Sequence, residues 1–144
     1  MKKILIPFDG SEFSQKAFEK GLEIAEKFES QLIVLTIIQS KVSDSTGISL
    51  ERMQEIQDEE ENHATTVLKN VESLTNAKNV SFSMKIIHNP STPDGITAFA
   101  ESNDVDLIVI GSHGRTGFRK LVLGSVANGV LSHAKCPVLV TKGA

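Results

Sequence analysis

The sequence predicts an α/β protein: a doubly wound, five-stranded parallel sheet with helices on both faces. Two observations carry this. Short apolar runs alternate with amphipathic helical patterns from Lys3 to Thr141. Those runs are continuous, as in Leu32-Ile33-Val34-Leu35-Thr36-Ile37-Ile38, which marks strands covered on both faces. At 144 residues the chain fits one domain, 1–144, with a core that needs no disulfide or metal.

The first strand is Lys3 to Phe8, and an amphipathic helix follows from Ser11 to Phe28. Ser11 or Asp9 is its expected cap, and Phe13, Ala17, Ile24 and Phe28 fall at helical spacing. Glu12–Lys16 and Glu23–Lys27 are i,i+4 pairs in the favourable order. Gln31 to Ile38 is the second strand, and the polar stretch Gln39 to Ile48 reads as a loop.

A long helix is expected from Ser49 to about Leu74, with Leu50, Met53, Ile56, Val67, Val71 and Leu74 as its buried stripe. Val80 to Ile87 is the third strand. Ser91 to Ser102 is a helix capped by Ser91 or Thr92, with Ile96, Phe99 and Ala100 facing inward. Asp106 to Ile110 is the fourth strand, Val126 to Ala134 lies in the fourth helix, and Pro137 to Thr141 is the fifth strand. No internal repeat, linker or low-complexity segment interrupts the pattern.

Composition excludes several function classes. The net charge of −3 supplies no global basic field for nucleic acid or anionic lipid. There is no Trp or Tyr, and seven Phe residues are a poor supply of base-stacking platforms. The apolar stretch behind Lys2-Lys3 ends at Pro7-Phe8-Asp9, too short for a signal-peptide core. No apolar run reaches the roughly 18–20 residues that span a bilayer. A cytoplasmic protein without nucleic-acid or membrane partners is expected. The single cysteine, Cys136, forms no internal disulfide and reads as a buried, inert thiol.

The chemistry concentrates near the C-terminus. Gly111-Ser112-His113-Gly114 directly follows an apolar strand, and Gly124-Ser125 opens a helical pattern continuing through Val126 and Ala127. Glycines at a strand-to-helix junction let backbone N–H groups crowd an anion, and the helix adds the positive end of its dipole. Arg115 is a suitable phosphate neighbour, whereas Arg119 and Lys120 read more nearly as a solvated loop. His113 has no partner histidine at ligand spacing, so a metal centre is not indicated. The run Asp58-Glu59-Glu60-Glu61 points around a helix and reads as a solvated face.

Gly111, two residues, Gly114, nine residues, then Gly124-Ser125 is similar to the ATP-binding signature of the universal stress protein family. The opening Lys3-Ile4-Leu5-Ile6-Pro7-Phe8-Asp9-Gly10-Ser11 and the ending Cys136-Pro137-Val138-Leu139-Val140 resemble that family's first and last strands. The resemblance implies strand order 3-2-1-4-5, which sets the ends of the first and fourth strands side by side. It implies an ATP site at Pro7, Asp9, Ile37, Gly111, Ser112, His113, Gly114, Arg115, Gly124, Ser125, Val126 and Ala127, with Mg²⁺ or Mn²⁺ held mainly by the phosphates. In it Asp9 meets the ribose, beside or instead of a helix-capping role, and a backbone group at Ile37 meets the base. It also implies a homodimer through the edge strand Val138–Thr141.

The function implied is a nucleotide-sensing stress or regulatory protein with little or no hydrolysis. The alternatives are a slow ATPase on the same fold and a nucleotide-free dimeric interaction module. Nucleotidyltransferases and ATP pyrophosphatases of related architecture need a His-x-Gly-His element or a Ser-Gly-Gly-x-Asp-Ser loop, and Asp9-Gly10-Ser11-Glu12-Phe13-Ser14 is neither. A receiver domain needs an acidic pair after the first strand and an Asp after the third, where this chain has Phe8-Asp9 and His88-Asn89. The family usually carries glycine after the third strand. Asn89-Pro90 departs from that pattern and leaves the local turn open between left-handed and extended geometry.

Overall fold

A computed structural model describes residues 2–39, 49–76, 79–114 and 123–143. The expected loop at Gln39 to Ile48 lies outside the described residues from position 40, as do Arg115, Arg119 and Lys120. The elements run β1 (Lys3–Pro7), α1 (Glu12–Phe28), β2 (Gln31–Ile38), α2 (Leu50–Asn76), β3 (Phe82–His88), α3 (Thr92–Ser102), β4 (Leu107–Gly111), α4 (Ser125–His133) and β5 (Val138–Thr141). The strands form one parallel sheet in the order β3-β2-β1-β4-β5, as the resemblance implied.

Alternate strand residues point to opposite faces, so each continuous apolar run feeds two cores. Ile4, Ile6, Leu32, Val34, Leu107 and Val109 pack with Phe18 and Leu22 of α1 and Leu68 and Val71 of α2. Leu5, Ile33, Leu35, Ile108 and Ile110 pack with Ile96 and Ala100 of α3 and Val130 of α4. Each such side chain contributes about 1.5–3 kcal/mol by leaving water. The sheet is thereby clamped from both sides, and its strand ends stay in register.

Local chemistry sets the helix starts. Ser11 caps α1, its side chain accepting from the Ser14 N–H at 3.2 Å, and Ser91 caps α3 by accepting from the Asp94 N–H at 3.3 Å. Asp9 does not cap α1. Its Oδ1 accepts from the Ser11 N–H at 2.9 Å and shapes the turn before the helix. Asn89 repeats the device after β3, with Oδ1 accepting from the Ser91 N–H at 2.9 Å. Asn89 is not among the residues with positive φ, so a side-chain bond does the work expected of a left-handed residue.

The predicted stripe of α2 needs correction. Leu50 is 82% and Leu74 54% exposed, and the buried positions are Ala64, Leu68, Val71 and Thr75. The cause is length. A helix of 27 residues spans about 40 Å, whereas a strand of eight spans about 26 Å, so both helix ends outrun the sheet. Phe28, 62% exposed, is the last residue of α1, where the left-handed Glu29 turns the chain toward β2. Smaller differences are of one or two residues: β3 starts at Phe82 and α4 at Ser125.

Candidate functional site

β1 and β4 are hydrogen-bonded neighbours, paired Ile4 to Leu107 and Leu5 to Ile108. Their C-terminal ends, Pro7 and Gly111, therefore open side by side beneath the start of α4. This is a switch point: the chain leaves β1 toward β2 on one side and reaches β4 on the other, which splays the following segments apart. A cleft of about 1160 Å³ lies there. Ten of the predicted residues line it: Pro7, Asp9, Ile37, Gly111, His113, Gly114, Gly124, Ser125, Val126 and Ala127. Ser112 is not on its wall, and Arg115 falls outside the described residues.

Each glycine is required by a different neighbour. A Cβ on Gly111 would lie 2.8 Å from the Phe13 carbonyl carbon and oxygen, so this glycine lets α1 close onto β4. A Cβ on Gly114 would stand 2.9 Å from Asp9 Oδ2. A Cβ on Gly124 would come within 3.0 Å of the Ser112 carbonyl oxygen, which already accepts the Gly124 N–H at 2.8 Å. The two glycine segments are thus stitched together by their backbones.

Gly124 is the N-cap of α4 and offers no side chain to the first turn. The opening N–H groups of a helix have no partner within it. Ser125, Val126 and Ala127 carry those groups, and all three residues line the cleft. The His113 ring lies 5.2 Å from that of Phe13 between centroids, and its Nδ1 is 3.0 Å from Ser112 Oγ. Ser112 is buried, so its hydroxyl orients His113 from behind the wall. On the opposite side, the buried Thr36 hydroxyl donates to the Phe8 carbonyl at 2.8 Å and ties the ends of β1 and β2 beside Ile37.

The profile of the universal stress protein family matches residues 1–142 of the chain. The chain belongs to the universal stress protein family. It is 35% identical over 145 residues to universal stress protein MJ0531 of Methanocaldococcus jannaschii, covering 98% of this chain and 82% of that protein. Universal stress protein MJ0577 of the same organism is 32% identical over 155 residues, covering 98% and 94%. A solved structure of MJ0577 superposes with a TM-score of 0.82 at 28% identity, over 99% of this chain and 96% of that one. Two more distant structures share the fold: a universal stress protein in complex with cAMP (TM-score 0.73, 19% identity, 99% and 98% covered) and one from Archaeoglobus fulgidus in complex with dAMP (0.63, 20%, 97% and 97%).

This universal stress protein has a cleft wall that sequence reasoning missed. Ile56, Glu59, Glu60, His63, Ala64 and Val67 of α2 line it, together with Thr92 and Ile96 of α3. The α2 residues recur at i, i+3, i+4, i+7, i+8 and i+11, which is one face of a helix. That spacing was a usable signal, but a run of exposed acids looks the same whether it meets bulk water or a cleft.

Glu61 and His88 lie 2.9 Å apart and join α2 to the end of β3. Among the described residues no group of three potential ligands is placed to hold a metal ion, and no helix is long and apolar enough to cross a membrane. Cys136 is half-buried rather than buried. Burial pushes its thiol up, and the Asp106 charge pushes it further, so the thiolate is disfavoured.

Proposed function

We propose that this universal stress protein binds an adenine nucleotide, ATP, in the cleft between β1, β4 and α4, as a regulatory sensor with little or no hydrolysis. The observation that carries the reading is the uncapped start of α4. Three successive helix-opening residues, Ser125 to Ala127, border the cleft, and Gly124 leaves room for an anion to approach their N–H groups. Gly111, His113 and Gly114 form the facing wall of a phosphate cradle, with Ser112 orienting His113 from behind.

The other roles follow the order of strands across the cleft. Asp9 on the turn after β1 is proposed to meet the ribose hydroxyls; its Oδ2 lies on the Gly114 side and its Oδ1 holds the Ser11 N–H. Pro7 and Ile37 border the space for the base, with the Ile37 backbone as its partner. Arg115 is proposed as a further phosphate contact. Mg²⁺ or Mn²⁺ is proposed to be held mainly by the phosphates. The cAMP and dAMP complexes of the distant relatives show that this fold accommodates adenine nucleotides in those proteins. The protein is further proposed to be a cytoplasmic homodimer joined through β5.

Calorimetric titration with ATP and Mg²⁺, after mass spectrometry for co-purified nucleotide, tests the reading. A dissociation constant on the order of micromolar, or nucleotide already bound, supports it. A protein that neither carries nor binds nucleotide leaves the glycine segments as architecture alone.

A further inference from the structure

Among the described residues, the α2 wall of the cleft carries two carboxylates, Glu59 and Glu60, that make no ion pair. Val67 lies low on this wall, its Cγ1 3.4 Å from where a Cβ on Gly10 would stand. Glu60 is seven residues nearer the helix start, hence about 10 Å higher at 1.5 Å per residue. Glu59 and Glu60 thus stand toward the mouth of the cleft, above Ala64, the first fully buried residue of α2.

Their acidic neighbours are engaged: Glu61 with His88 at 2.9 Å, Glu55 with Arg52 at 3.1 Å, and Asp58 accepting from Gln54 at 2.9 Å. Glu59 and Glu60 make no ion pair among the described residues. With Asp9 they place three carboxylates on the cleft wall, and the described wall holds no Lys or Arg.

Resting on the nucleotide reading of this cleft, we propose that Glu59 and Glu60 are specificity-determining residues that set how much anionic charge the cleft accepts. A nucleoside triphosphate without a metal ion meets their repulsion across the cleft. A divalent cation on the phosphates removes part of the ligand's charge and part of that repulsion. A nucleoside carries no charge and a monophosphate about two negative charges at neutral pH, fewer than a metal-free triphosphate, so they meet correspondingly less. Because both side chains are exposed, the interaction acts through solvent and is screened by salt.

The test uses the full chain and its Glu59→Gln/Glu60→Gln variant, which keeps side-chain volume and polarity. Binding of adenosine, AMP, ATP with a chelator and ATP with Mg²⁺ is measured by calorimetry at low and high salt. The variant is expected to bind metal-free ATP roughly three- to tenfold more tightly at low salt. The gain should be smaller for AMP, absent for adenosine, and should shrink as salt is added.

Unchanged affinity for metal-free ATP, with adenosine and Mg²⁺-ATP still bound, overturns the proposal while leaving the nucleotide reading intact. Weaker Mg²⁺-ATP binding by the variant also overturns it, because the carboxylates would then be holding the metal. Failure of the wild-type chain to bind any of the four ligands removes the nucleotide reading and this proposal together.

Discussion

The Asp9 carboxylate occupies the place that a side chain on Gly114 would need: Oδ2 lies 2.9 Å from the position of a Cβ on that glycine. Oδ1 of the same carboxylate holds the Ser11 N–H, so Asp9 cannot swing away without loosening the turn that starts α1. The glycine after β4 therefore serves the acid after β1. The two motifs, more than a hundred residues apart in sequence, form one device.

Gly111 and Gly114 are accordingly expected to separate binding from stability. Neither has a positive φ, so the decision is steric rather than conformational. Gly111→Ala meets the Phe13 backbone, which cannot yield locally, and should cost about 1–3 kcal/mol of stability. Gly114→Ala meets the end of one side chain. It should lower the urea midpoint less than Gly111→Ala does, by loosening the turn at Ser11, while weakening ATP about tenfold through displacement of Asp9. Chemical denaturation and calorimetry on both variants check this. Equal loss of stability in the two would refute the separation.

These different duties explain what was legible in the sequence. The strands were, because Ile4-Leu5-Ile6 and Ile108-Val109-Ile110 must be apolar on both faces to sit in the middle of a doubly covered sheet. The crevice was too, once the β1 and β4 motifs were neighbours. Glycine spacing, however, does not say what the missing Cβ would strike, so Gly111 and Gly114 read alike. Leu50 misled because periodicity continues past the end of the sheet, where there is nothing left to pack against, and Phe28 because it stands in the last turn of its helix. Glu59 and Glu60 were hidden by their exposure.

Asp106 predicts an acid dependence. The backbone N–H groups of Lys3 and Lys2 donate to its Oδ2, at 2.9 and 2.8 Å, and hold its carboxyl below the ordinary range. A lowered folded pKa means stability that is present above the unfolded value of about 3.9 and lost as pH falls through the folded one. Wild type should therefore be more stable than Asp106→Asn near neutrality, and the gap should close below about pH 4. Urea midpoints across that range decide it. A gap of constant size would mean that the charge on Asp106 does not stabilise the join between the N-terminus and β4.

The edge strand β5 supplies the last prediction. Its inner neighbour β4 satisfies one side of its backbone, pairing Ile108 with Val138 and Ile110 with Val140, and no described strand covers the other. Leu139 is 38% exposed on this edge, apolar where a solvated edge would favour charge or Pro. A strand of only four residues gains from a second copy pairing along it, which would satisfy the outer N–H and C=O groups and cover Leu139 together. Leu139→Asp places a charge at that seam without touching the buried residues of either core. Wild type is expected to sediment as a dimer and the variant as a folded monomer. A wild-type monomer, or a variant that still dimerises, would show that β5 is a terminated edge and that its short length alone protects it.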